Sequence, residues 1–307
     1  MSGRPAFAVC VPTLNPGPGF TQWLARTLPA LQGAPLLVID SSSEDDTVRL
    51  ARDAGAEVAV IERHQFNHGG TRSWAIRHLS DVDVVVFLTQ DALPCGPDAL
   101  VDLVSGFQDP GLGAAFGRQL PHDDASPVAA HARLFNYGAV SRTVGPENIP
   151  EFGLKAAFLS NSFAAYRREA LLGVGGFAED VILSEDMLAG ARLLQAGWKL
   201  AYCAEACVQH SHNYSMTEEF RRYFDIGVFH AHEAWLRAWL GSAEGEGVRF
   251  VRSEAAFLLR RAPWRLPEAA LRTWLKYAGY RLGTQSRRLP RRWNRRLSMH
   301  RRYWSSR

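Results

Sequence analysis

The chain has 307 residues, enough for one large α/β domain with an appendage or for two small domains. Hydrophobic residues make up 47% of it, which excludes a disordered protein, and no run approaches the roughly 18 apolar residues of a membrane span. The first residues do not resemble a signal peptide. The four cysteines are too few and too scattered for a disulfide framework, and their spacing does not favour zinc. We therefore expect a cytoplasmic protein with reduced thiols at Cys10, Cys95, Cys203 and Cys207.

Charge is unevenly distributed along the chain. Residues 269–307 carry twelve Lys or Arg and no Asp or Glu, whereas residues 1–268 carry 23 basic and 31 acidic residues, a net charge of −8. In the tail, arginine pairs alternate with aromatic and apolar residues. This pattern is typical of a segment that lies on the anionic inner face of the plasma membrane. The alternatives are a clamp onto the acidic remainder of the chain and a homodimer contact. Nucleic acid is not expected, because no recognition motif accompanies the charge.

Short apolar runs alternate with helical periodicity in the first ninety residues. Strands are predicted at residues 6–11, 35–40, 57–62 and 82–88. Helices are predicted at residues 19–31 and around residues 74–79. Another helix follows the capping box formed by Ser43 and Asp46 and ends at residue 54. Four alternations of strand and helix at short spacing predict an α/β fold with a mostly parallel sheet flanked by helices.

After residue 91 the periodic pattern loosens. A helix is predicted at 97–107 and a strand at 113–117, but residues 121–152 show little periodicity and are expected to be irregular. A helix at 185–196, short strands at 199–202 and 206–210, and a long helical region at 216–240 follow. Residues 241–247 have the composition of a linker. We expect a catalytic domain at 1–240 and a helical, basic extension at 241–307.

Polar side chains follow three of the predicted strands. Thr13 and Asn15 come after the first strand, Asp40 ends the second, and Asp91 follows the fourth. In parallel sheets the carboxyl ends of the strands share one edge, where ligands bind. Asp91 suits a divalent cation that holds a diphosphate, or it caps the next turn. Asp40 could accept a hydrogen bond from a pyrimidine base whose other edge meets the backbone at Pro12, or it forms a turn.

Three further groups of polar residues lie at the ends of predicted helices and strands. Arg72 and the amides of the preceding Asn67 loop can face a phosphate at a helix N-terminus, or they form a solvated loop. Glu185 and Asp186 open a helix, where paired acids usually complement the helix dipole and only sometimes catalyse. His210 and His212 share one face of an extended segment, as surface residues or as metal ligands.

Six motifs occur in a fixed order: Val-Pro-Thr-Leu-Asn, Val-Ile-Asp-Ser-Ser-Ser, Phe-Asn-His-Gly-Gly-Thr-Arg, Thr-Gln-Asp-Ala, Ser-Glu-Asp-Met and His-Ser-His-Asn-Tyr-Ser. This set resembles the inverting family 2 glycosyltransferases with a GT-A fold over about residues 6–240. It is most similar to the rhamnosyltransferase branch, which uses dTDP-L-rhamnose to build bacterial surface polysaccharides. The resemblance therefore implies a GT-A nucleotide-diphospho-sugar transferase fold.

The resemblance also implies roles for single residues. Asp91 occupies the last position of the family's Asp-x-Asp metal motif, where Thr89 replaces the first acid. A second ligand for Mg²⁺ or Mn²⁺ is then needed, His210 being the first choice and His212 the reserve. Asp186 falls at the catalytic base, with Glu185 as the other carboxylate. The implied nucleotide-sugar-binding residues are Pro12, Thr13, Asn15, Asp40, Asn67, Arg72 and Gln90.

We therefore expect inverting transfer of a sugar, L-rhamnose in the first place, from a dTDP-sugar donor to a glycan or lipid-linked oligosaccharide acceptor. The absence of a Gln-x-x-Arg-Trp signature favours few additions over a long polymer. A different UDP- or dTDP-hexose donor remains an alternative. A nucleotidyltransferase would carry a Gly-rich basic loop after the first strand, which this chain lacks. A non-catalytic module that binds anionic lipid or nucleotide would leave Glu185, Asp186 and His210 unexplained.

Overall fold

The computed structural model describes residues 5–241 and 245–305, so part of the predicted 241–247 linker lies outside the described residues. Within them, nine strands form a single sheet. In chain order the strands are β1 (Phe7–Thr13), β2 (Leu36–Asp40), β3 (Glu57–Val60), β4 (Val84–Leu88), β5 (Leu93–Pro94), β6 (Leu112–Leu120), β7 (Arg142–Val144), β8 (Phe163–Arg167) and β9 (Lys199–Gln209).

Helices flank the sheet and continue beyond it toward the C-terminus. They are α1 (Gly19–Leu31), α2 (Thr47–Asp53), α3 (His68–His78), α4 (Ala99–Ser105), α5 (Pro127–Asn136), α6 (Ile149–Phe152), α7 (Arg168–Gly173), α8 (Glu185–Gln195), α9 (Met216–His232), α10 (Ala234–Leu240), α11 (Glu246–Arg261), α12 (Leu266–Gly283) and α13 (Arg291–Leu297). None of the helices in the described part of the chain is long and apolar enough to span a membrane.

The sheet is mixed. Strands β3, β2, β1 and β4 lie side by side in parallel, as the strand–helix alternation predicts. Beyond β4 the order continues β8-β6-β9-β5, with β8 antiparallel to both of its neighbours and β9 parallel to β6. Strands β5 and β7 both pair antiparallel with β9. The α/β class is confirmed. The sequence did not predict the antiparallel pairing in the second half of the sheet. Strand direction there depends on long connections, and these leave no periodic pattern in the sequence.

Alternate residues of β4 pack into two separate cores. Val84, Val86 and Leu88 face the core that contains α1 and α4, whereas Val85 and Phe87 face the core that contains α3, α8 and α9. All five side chains are fully buried. Burial on both faces explains why β4 is a continuous apolar run rather than an alternating one. The register of β1 with β2 pairs Thr13 with Asp40, which brings their polar side chains to one edge of the sheet.

Two expectations about local structure are corrected. The segment 121–152 is not irregular throughout, because it contains α5, β7 and α6. Helix α5 begins at a Ser126 cap, whose hydroxyl accepts a hydrogen bond from the backbone N–H of Ala129 at 3.2 Å. The two short strands predicted at 199–210 are one strand, β9, which absorbs a register shift against β6 after Gly117. Short elements that pair with distant strands are weakly marked in a local pattern.

The cysteines also differ from expectation. The structure joins Cys95, which follows β5, to Cys207 of β9 in a disulfide, with their Cα atoms 5.5 Å apart. The expectation of four reduced thiols is therefore wrong for this pair, whereas Cys10 and Cys203 are free. The two half-cystines are 112 residues apart in sequence. Only the pairing of β5 with β9 brings them together, so their spacing gives no hint of the bond.

The C-terminal helices pack tightly on the rest of the chain. Glycines make this possible, because a Cβ atom on Gly283 would overlap the carbonyl oxygen of Phe224 in α9, and one on Gly279 would overlap that of Phe220. The backbones of α9 and α12 therefore lie closer than ordinary side chains permit. Residues on both sides of the predicted 240/241 boundary share this packing, while the division into two domains stays a prediction.

Candidate active site

A cavity of about 760 Å³ lies at the carboxyl ends of β1 and β4. The segments that follow these strands and the first turn of α8 form its wall, as the rule for parallel sheets predicts. Nine of the predicted site residues line it: Pro12, Thr13, Arg72, Gln90, Asp91, Glu185, Asp186, His210 and His212. The other three, Asn15, Asp40 and Asn67, are not among the lining residues and hold the surrounding loops.

Asp91 lies beside both histidines. Its carboxylate Oδ2 is 3.4 Å from Nε2 of His210 and 3.8 Å from Nδ1 of His212. One ligand atom from each of the three residues falls within 4.8 Å of the others, a spacing that a single cation can bridge. Two imidazoles and one carboxylate form a softer donor set than oxygen ligands alone, and together they could hold a divalent metal ion.

The electrostatics of this trio favour the ligating protonation states. Burial raises the pKa of Asp91, but the hydrogen bond and charge of His210 outweigh it, so the pKa lies well below its usual value. Burial lowers the pKa of His210. Burial and then the neighbouring His210 lower the pKa of His212 to about 4. A carboxylate and two neutral imidazoles are the forms in which these side chains bind metal.

Gln119, near the end of β6, orients His210. The side-chain oxygen of Gln119 is 2.9 Å from Nδ1 of His210 and also accepts a hydrogen bond from Arg133 at 2.8 Å. The amide nitrogen of Gln119 donates to the hydroxyl of Ser160 at 2.9 Å. Because the oxygen can only accept, Nδ1 of His210 carries the proton and Nε2 is left free toward Asp91.

Glu185 forms a buried ion pair with Arg72. Nη1 of Arg72 lies 3.1 Å from Oε1 of Glu185, and both side chains are less than a tenth exposed. The same oxygen accepts a hydrogen bond from the side-chain amide of Asn161 at 3.1 Å. Burial raises the pKa of Glu185, but the charges of Arg72 and then His68 outweigh it and lower the pKa. Glu185 is therefore ionised and paired with Arg72, whose Nη1 is used by this contact although the residue still lines the cavity.

Asp186 has a different environment. Its two oxygens accept hydrogen bonds only from backbone N–H groups, from Asn161 at 3.1 Å and Met187 at 2.8 Å. Burial, and then the negative charge of Glu185, raise the pKa of Asp186 to about 6. The residue before the pair, Ser184, has left-handed backbone angles (φ 62°). Such strain in a non-glycine residue is often found at functional sites.

Asp40 and Asn15 brace the loops beside the cavity. Asp40 has no exposed surface, and its carboxylate accepts hydrogen bonds from the hydroxyl of Thr13 at 2.9 Å and from Ser43 at 2.6 and 2.7 Å. In this conformation Asp40 does not offer an oxygen to a nucleotide base. The side-chain oxygen of Asn15 accepts a hydrogen bond from the backbone N–H of Glu44 at 2.8 Å.

The side chains of Gln90 and Asn67 also form hydrogen bonds with backbone groups. The side chain of Gln90 accepts a hydrogen bond from the N–H of Leu14 at 2.8 Å and donates to its carbonyl at 3.3 Å. Asn67 caps α3 by accepting from the N–H of Gly70 at 2.8 Å, and it donates to the carbonyl of Glu179 at 2.8 Å. These contacts fix the shape of the cavity edge where the sequence predicted direct nucleotide contacts.

A second cavity of about 450 Å³ adjoins the first. The two share Asp186, Met187, His210, His212 and Arg222. Aromatic and basic side chains are prominent in the rest of its lining, among them Tyr214, Tyr223, Phe250, Arg133, Arg272 and Lys276. Asp186 thus borders both cavities, an arrangement that lets two molecules approach it from different sides.

The C-terminal tail returns to the first cavity. Asp225 of α9 accepts hydrogen bonds from the backbone N–H groups of Met299 and His300 at 2.9 and 3.1 Å. The guanidinium of Arg302 then donates to the carbonyl oxygen of Arg63 at 2.7 Å. His300, Arg302 and Arg63 all line the cavity. The basic tail therefore completes the site, a role that its composition does not reveal.

Several of these residues are absent from the prediction. Gln119 has the same signal as Thr13 and Asp40, a polar side chain near a strand end, and the same rule would have found it. Asn161 lies in a turn before β8 and carries no local signal. Arg302 is one of the tail arginines for which the sequence predicts a membrane surface, and His300 carries no signal of its own, because the sequence cannot show that the tail folds back.

The family of the chain follows from comparison with known proteins. Residues 5–224 match the family described as "Glycosyltransferase like family 2". The chain belongs to this family. The protein is therefore a glycosyltransferase, and the expected class of enzyme is confirmed. The match includes every predicted site residue, from Pro12 to His212.

Two relatives of this glycosyltransferase are rhamnosyltransferases by name. It is 48% identical over 304 residues to the O-antigen chain rhamnosyltransferase WbaN of Salmonella anatum, which covers 98% of this chain and 96% of the relative. It is 50% identical over 272 residues to the O-antigen chain rhamnosyltransferase RfbN of Salmonella typhimurium, covering 88% of this chain and 87% of the relative. The first alignment includes the C-terminal helices.

Solved structures with low sequence identity share the fold of this glycosyltransferase. The mannosyltransferase PcManGT from Pyrobaculum calidifontis, in complex with GDP-Man and Mn²⁺, has a TM-score of 0.57 at 20% identity, covering 99% of this chain and 87% of that chain. Residues 1–349 of S. aureus TarS, in complex with UDP-GlcNAc, have a TM-score of 0.53 at 15% identity, covering 92% and 91%. The predicted GT-A fold is confirmed.

Proposed function

We propose that this glycosyltransferase moves L-rhamnose, with inversion, from dTDP-L-rhamnose to a hydroxyl group of a lipid-linked glycan in bacterial surface polysaccharide synthesis. The observation that carries the proposal is 48% identity, over nearly the full length of both chains, to an O-antigen chain rhamnosyltransferase. We further propose that the enzyme works on the cytoplasmic side of the plasma membrane, where it meets both a nucleotide sugar and a lipid-linked acceptor.

The donor is assigned to the larger cavity. Its volume of about 760 Å³ lies within the range of small-ligand sites. Thr13 and the Leu14 backbone, held by Asp40 and Gln90, line the end proposed for the nucleotide. Arg302 lines the same cavity, is exposed, and is the cation that can meet a diphosphate there. Arg63 also lines the cavity, but it is half-buried and paired with Glu44 at 2.8 Å. Arg72 is less suited, because it is already paired with Glu185.

Asp186 is the base in this proposal. The acceptor oxygen forms a bond to the anomeric carbon while the bond from that carbon to the diphosphate oxygen breaks. The acceptor proton passes to the carboxylate of Asp186, and the bonding electron pair leaves with the diphosphate. A pKa of about 6 keeps Asp186 ionised at neutral pH and more basic than an ordinary aspartate. Such a base contributes about 10²–10⁴-fold to the rate.

Glu185 supports the base without titrating. Its lowered pKa and its bonds to Arg72 and Asn161 keep it ionised beside Asp186, which maintains the basicity of Asp186. Asp91, His210 and His212 are the residues that would hold a divalent cation, which when bound neutralises charge developing on the departing diphosphate. Their donor set supports Mn²⁺ over Mg²⁺ as that cation.

The acceptor is assigned to the second cavity. Tyr214, Tyr223 and Phe250 supply aromatic surface there, and Asp186 borders it. Arg222 is exposed, lies 5.8 Å from the ring centre of Tyr214, and can pair with an anionic group of the acceptor. With this arrangement the base stands between a donor and an acceptor that enter from different chambers.

The test is transfer with defined donors. The purified full chain is incubated with Mn²⁺, a lipid-linked glycan extracted from bacterial membranes, and dTDP-L-rhamnose, dTDP-glucose, UDP-glucose or GDP-mannose in turn. Nucleotide release and the mass of the extended glycan are measured. We expect release of dTDP and a deoxyhexose addition only with dTDP-L-rhamnose, with inverted anomeric configuration in the product. Transfer from a UDP- or GDP-sugar while dTDP-L-rhamnose stays inert would refute the donor assignment.

A further inference from the structure

Helix α12 exposes a row of large side chains on the side away from the protein. Trp274 and Tyr277 are 61% and 64% exposed, and Leu271 and Leu282 are exposed as well. Spacing of three or four residues puts Leu271, Trp274 and Arg281 on one side of the helix. The result is an apolar and aromatic stripe with a cation at its end.

The opposite side of α12 holds the helix in place. Gly279 and Gly283 contact the backbone of α9, as described above. Arg272 and Lys276 form ion pairs with Glu219 of α9 at 2.8 and 3.0 Å. The contacts that hold α12 against α9 therefore come from its inner side, and the large side chains of the stripe stay substantially exposed.

The exposed apolar surface continues into the turn before α12. Leu259 is 61% exposed and Trp264 is 74% exposed. Six of the fifteen exposed large hydrophobic residues in the described part of the chain fall within residues 259–282. Single exposed hydrophobic residues are ordinary, whereas a group of this kind marks an interaction surface.

The charge of this region is positive and uncompensated. Beyond residue 246 the chain has only two acids, Glu254 and Glu268. Glu254 is buried, and Glu268 is paired with Arg265 and Arg272. Exposed arginines flank the stripe at positions 260, 261 and 281. The tail adds a surface depression of about 480 Å³ whose lining residues are all arginines: Arg221, Arg292, Arg295, Arg296 and Arg301.

We propose that the outward face of α12, together with the turn at Trp264, docks on the surface of an anionic lipid bilayer. Trp and Tyr are enriched where protein meets the membrane–water interface, and helices of this type lie flat with their apolar side in the headgroup region. Arginines near an anionic bilayer add electrostatic attraction, which salt screens. A second copy of the chain fits less well, because the flanking arginines of both copies would meet.

This docking also bears on the acceptor. Arg272 and Lys276, on the inner side of α12, line the second cavity together with Phe250 of α11. One helix thus borders the bilayer on its outer side and the proposed acceptor chamber on its inner side. A glycan attached to a membrane lipid could reach Asp186 while its lipid stays in the bilayer. This link rests on the proposed function, whereas the docking itself does not.

The experiment is vesicle co-sedimentation of the full chain without donor or acceptor. Vesicles contain phosphatidylcholine alone or phosphatidylcholine mixed with phosphatidylglycerol, at low and high salt. We expect binding to the mixed vesicles that weakens with salt. The double variant Trp274→Ser, Tyr277→Ser is expected to lower the partition coefficient by about tenfold or more, because two large side chains no longer enter the interface.

Matched controls separate docking from general effects. Trp74→Ser removes a partly exposed tryptophan from α3, far from α12 in sequence, and should leave vesicle binding unchanged. Light scattering reports the oligomeric state of each variant, and a thermal melt with dTDP reports whether the donor site is intact. Wild-type vesicle binding by the double variant would overturn the proposal. The proposal would also be overturned if wild type is a dimer, the double variant is a monomer, and both bind vesicles equally well. Loss of vesicle binding by the double variant, with its melting temperature and oligomeric state unchanged, supports docking whatever the transfer assay with defined donors shows.

Discussion

The side-chain oxygen of Gln119 lies 2.9 Å from Nδ1 of His210, so the histidine points its other nitrogen, Nε2, at Asp91. Gln119 has no exposed surface and is itself held by Arg133 and Ser160. A buried chain of side chains therefore sets both the tautomer and the ring orientation of His210. Groups that orient metal ligands in this way typically affect metal affinity by 10–100-fold.

Replacing Gln119 should therefore weaken cation binding without touching a ligand. We expect Gln119→Leu to lower the affinity for Mn²⁺ by about 10–100-fold, measured by calorimetry or electron paramagnetic resonance in the absence of substrate. Gln119→Glu keeps an acceptor for Nδ1 of His210 and should restore part of the affinity. Gln209→Leu, on neighbouring β9, is the matched control and should bind Mn²⁺ normally. Normal Mn²⁺ affinity in Gln119→Leu would show that His210 needs no such support.

Asp91 should be the dominant ligand of the trio. Asp91→Asn keeps the size of the side chain but removes the negative charge, so cation-dependent binding of dTDP is expected to vanish with the fold retained. His210→Ala should weaken Mn²⁺ binding more than His212→Ala, because His210 is buried and lies 3.4 Å from Asp91 whereas His212 lies at 3.8 Å. Asp98→Asn, at the exposed residue just before α4, is a surface control. An unchanged Mn²⁺ requirement in Asp91→Asn would rule out the assigned site.

Asp186 should show opposite effects on activity and stability. Its pKa in the folded state is raised from 3.8 to about 6, so between these values the folded state binds more protons than the unfolded state. The free energy of unfolding should then fall as pH rises through this window, and the loss persists above it. Asp186→Asn removes the buried charge, so we expect a higher Tm than wild type near neutral pH, together with turnover at least about 10²-fold lower. Wild-type turnover should rise to a plateau above a pH of about 6.

Glu185→Gln is the control for that variant. It leaves the buried guanidinium of Arg72 without its counterion, so its Tm should fall rather than rise. The two substitutions are chemically alike and adjacent, yet they should shift stability in opposite directions. If Glu185→Gln abolishes turnover with its fold intact while Asp186→Asn remains active, the base has been assigned to the wrong carboxylate.

Arg302 should contribute to donor binding from the far end of the chain. It lines the larger cavity and contacts the backbone of Arg63 at 2.7 Å. We expect Arg302→Ala to raise the Kd for dTDP by about tenfold, the value of one lost hydrogen bond to a charged group. Arg301→Ala, next to it but in the arginine-lined depression, should leave dTDP binding unchanged. Equal effects of the two substitutions would indicate general electrostatics rather than a specific contact.

Gly283 should be intolerant of a side chain. A Cβ atom there would overlap the carbonyl oxygen of Phe224, so Gly283→Ala should lower the free energy of unfolding by about 1–3 kcal/mol in a denaturant titration. Gly247→Ala, in α11 with no atom near the added carbon, should be neutral or slightly stabilising. Equal stability of the two variants would contradict the close packing of α12 on α9.

The sequence alone determined the first half of the sheet and the edge of the sheet at which the cavity lies. The continuous apolar run of β4 and the alternation of β1 to β4 with helices required burial on both faces, which made a parallel arrangement predictable. Parallel strands end at one edge, so Thr13, Asp40 and Asp91 could be expected together. The resemblance to the family 2 glycosyltransferases added the acids of α8, as catalytic carboxylates, and His210, as a second metal ligand, which local patterns could not supply.

The tertiary structure decided which of those residues line the cavity and which brace the loops around it, while the nucleotide contacts stay a prediction. Asp40, Asn15 and Asn67 have the same residue types as cavity-lining groups, but their hydrogen bonds are used by neighbouring backbone and hydroxyl groups, which only three-dimensional contact reveals. The disulfide and the return of Arg302 to the cavity depend on residues that are more than 100 positions apart. Local sequence encodes the propensity and burial of each segment. It does not encode which distant segments meet, because that depends on the packing of the whole chain.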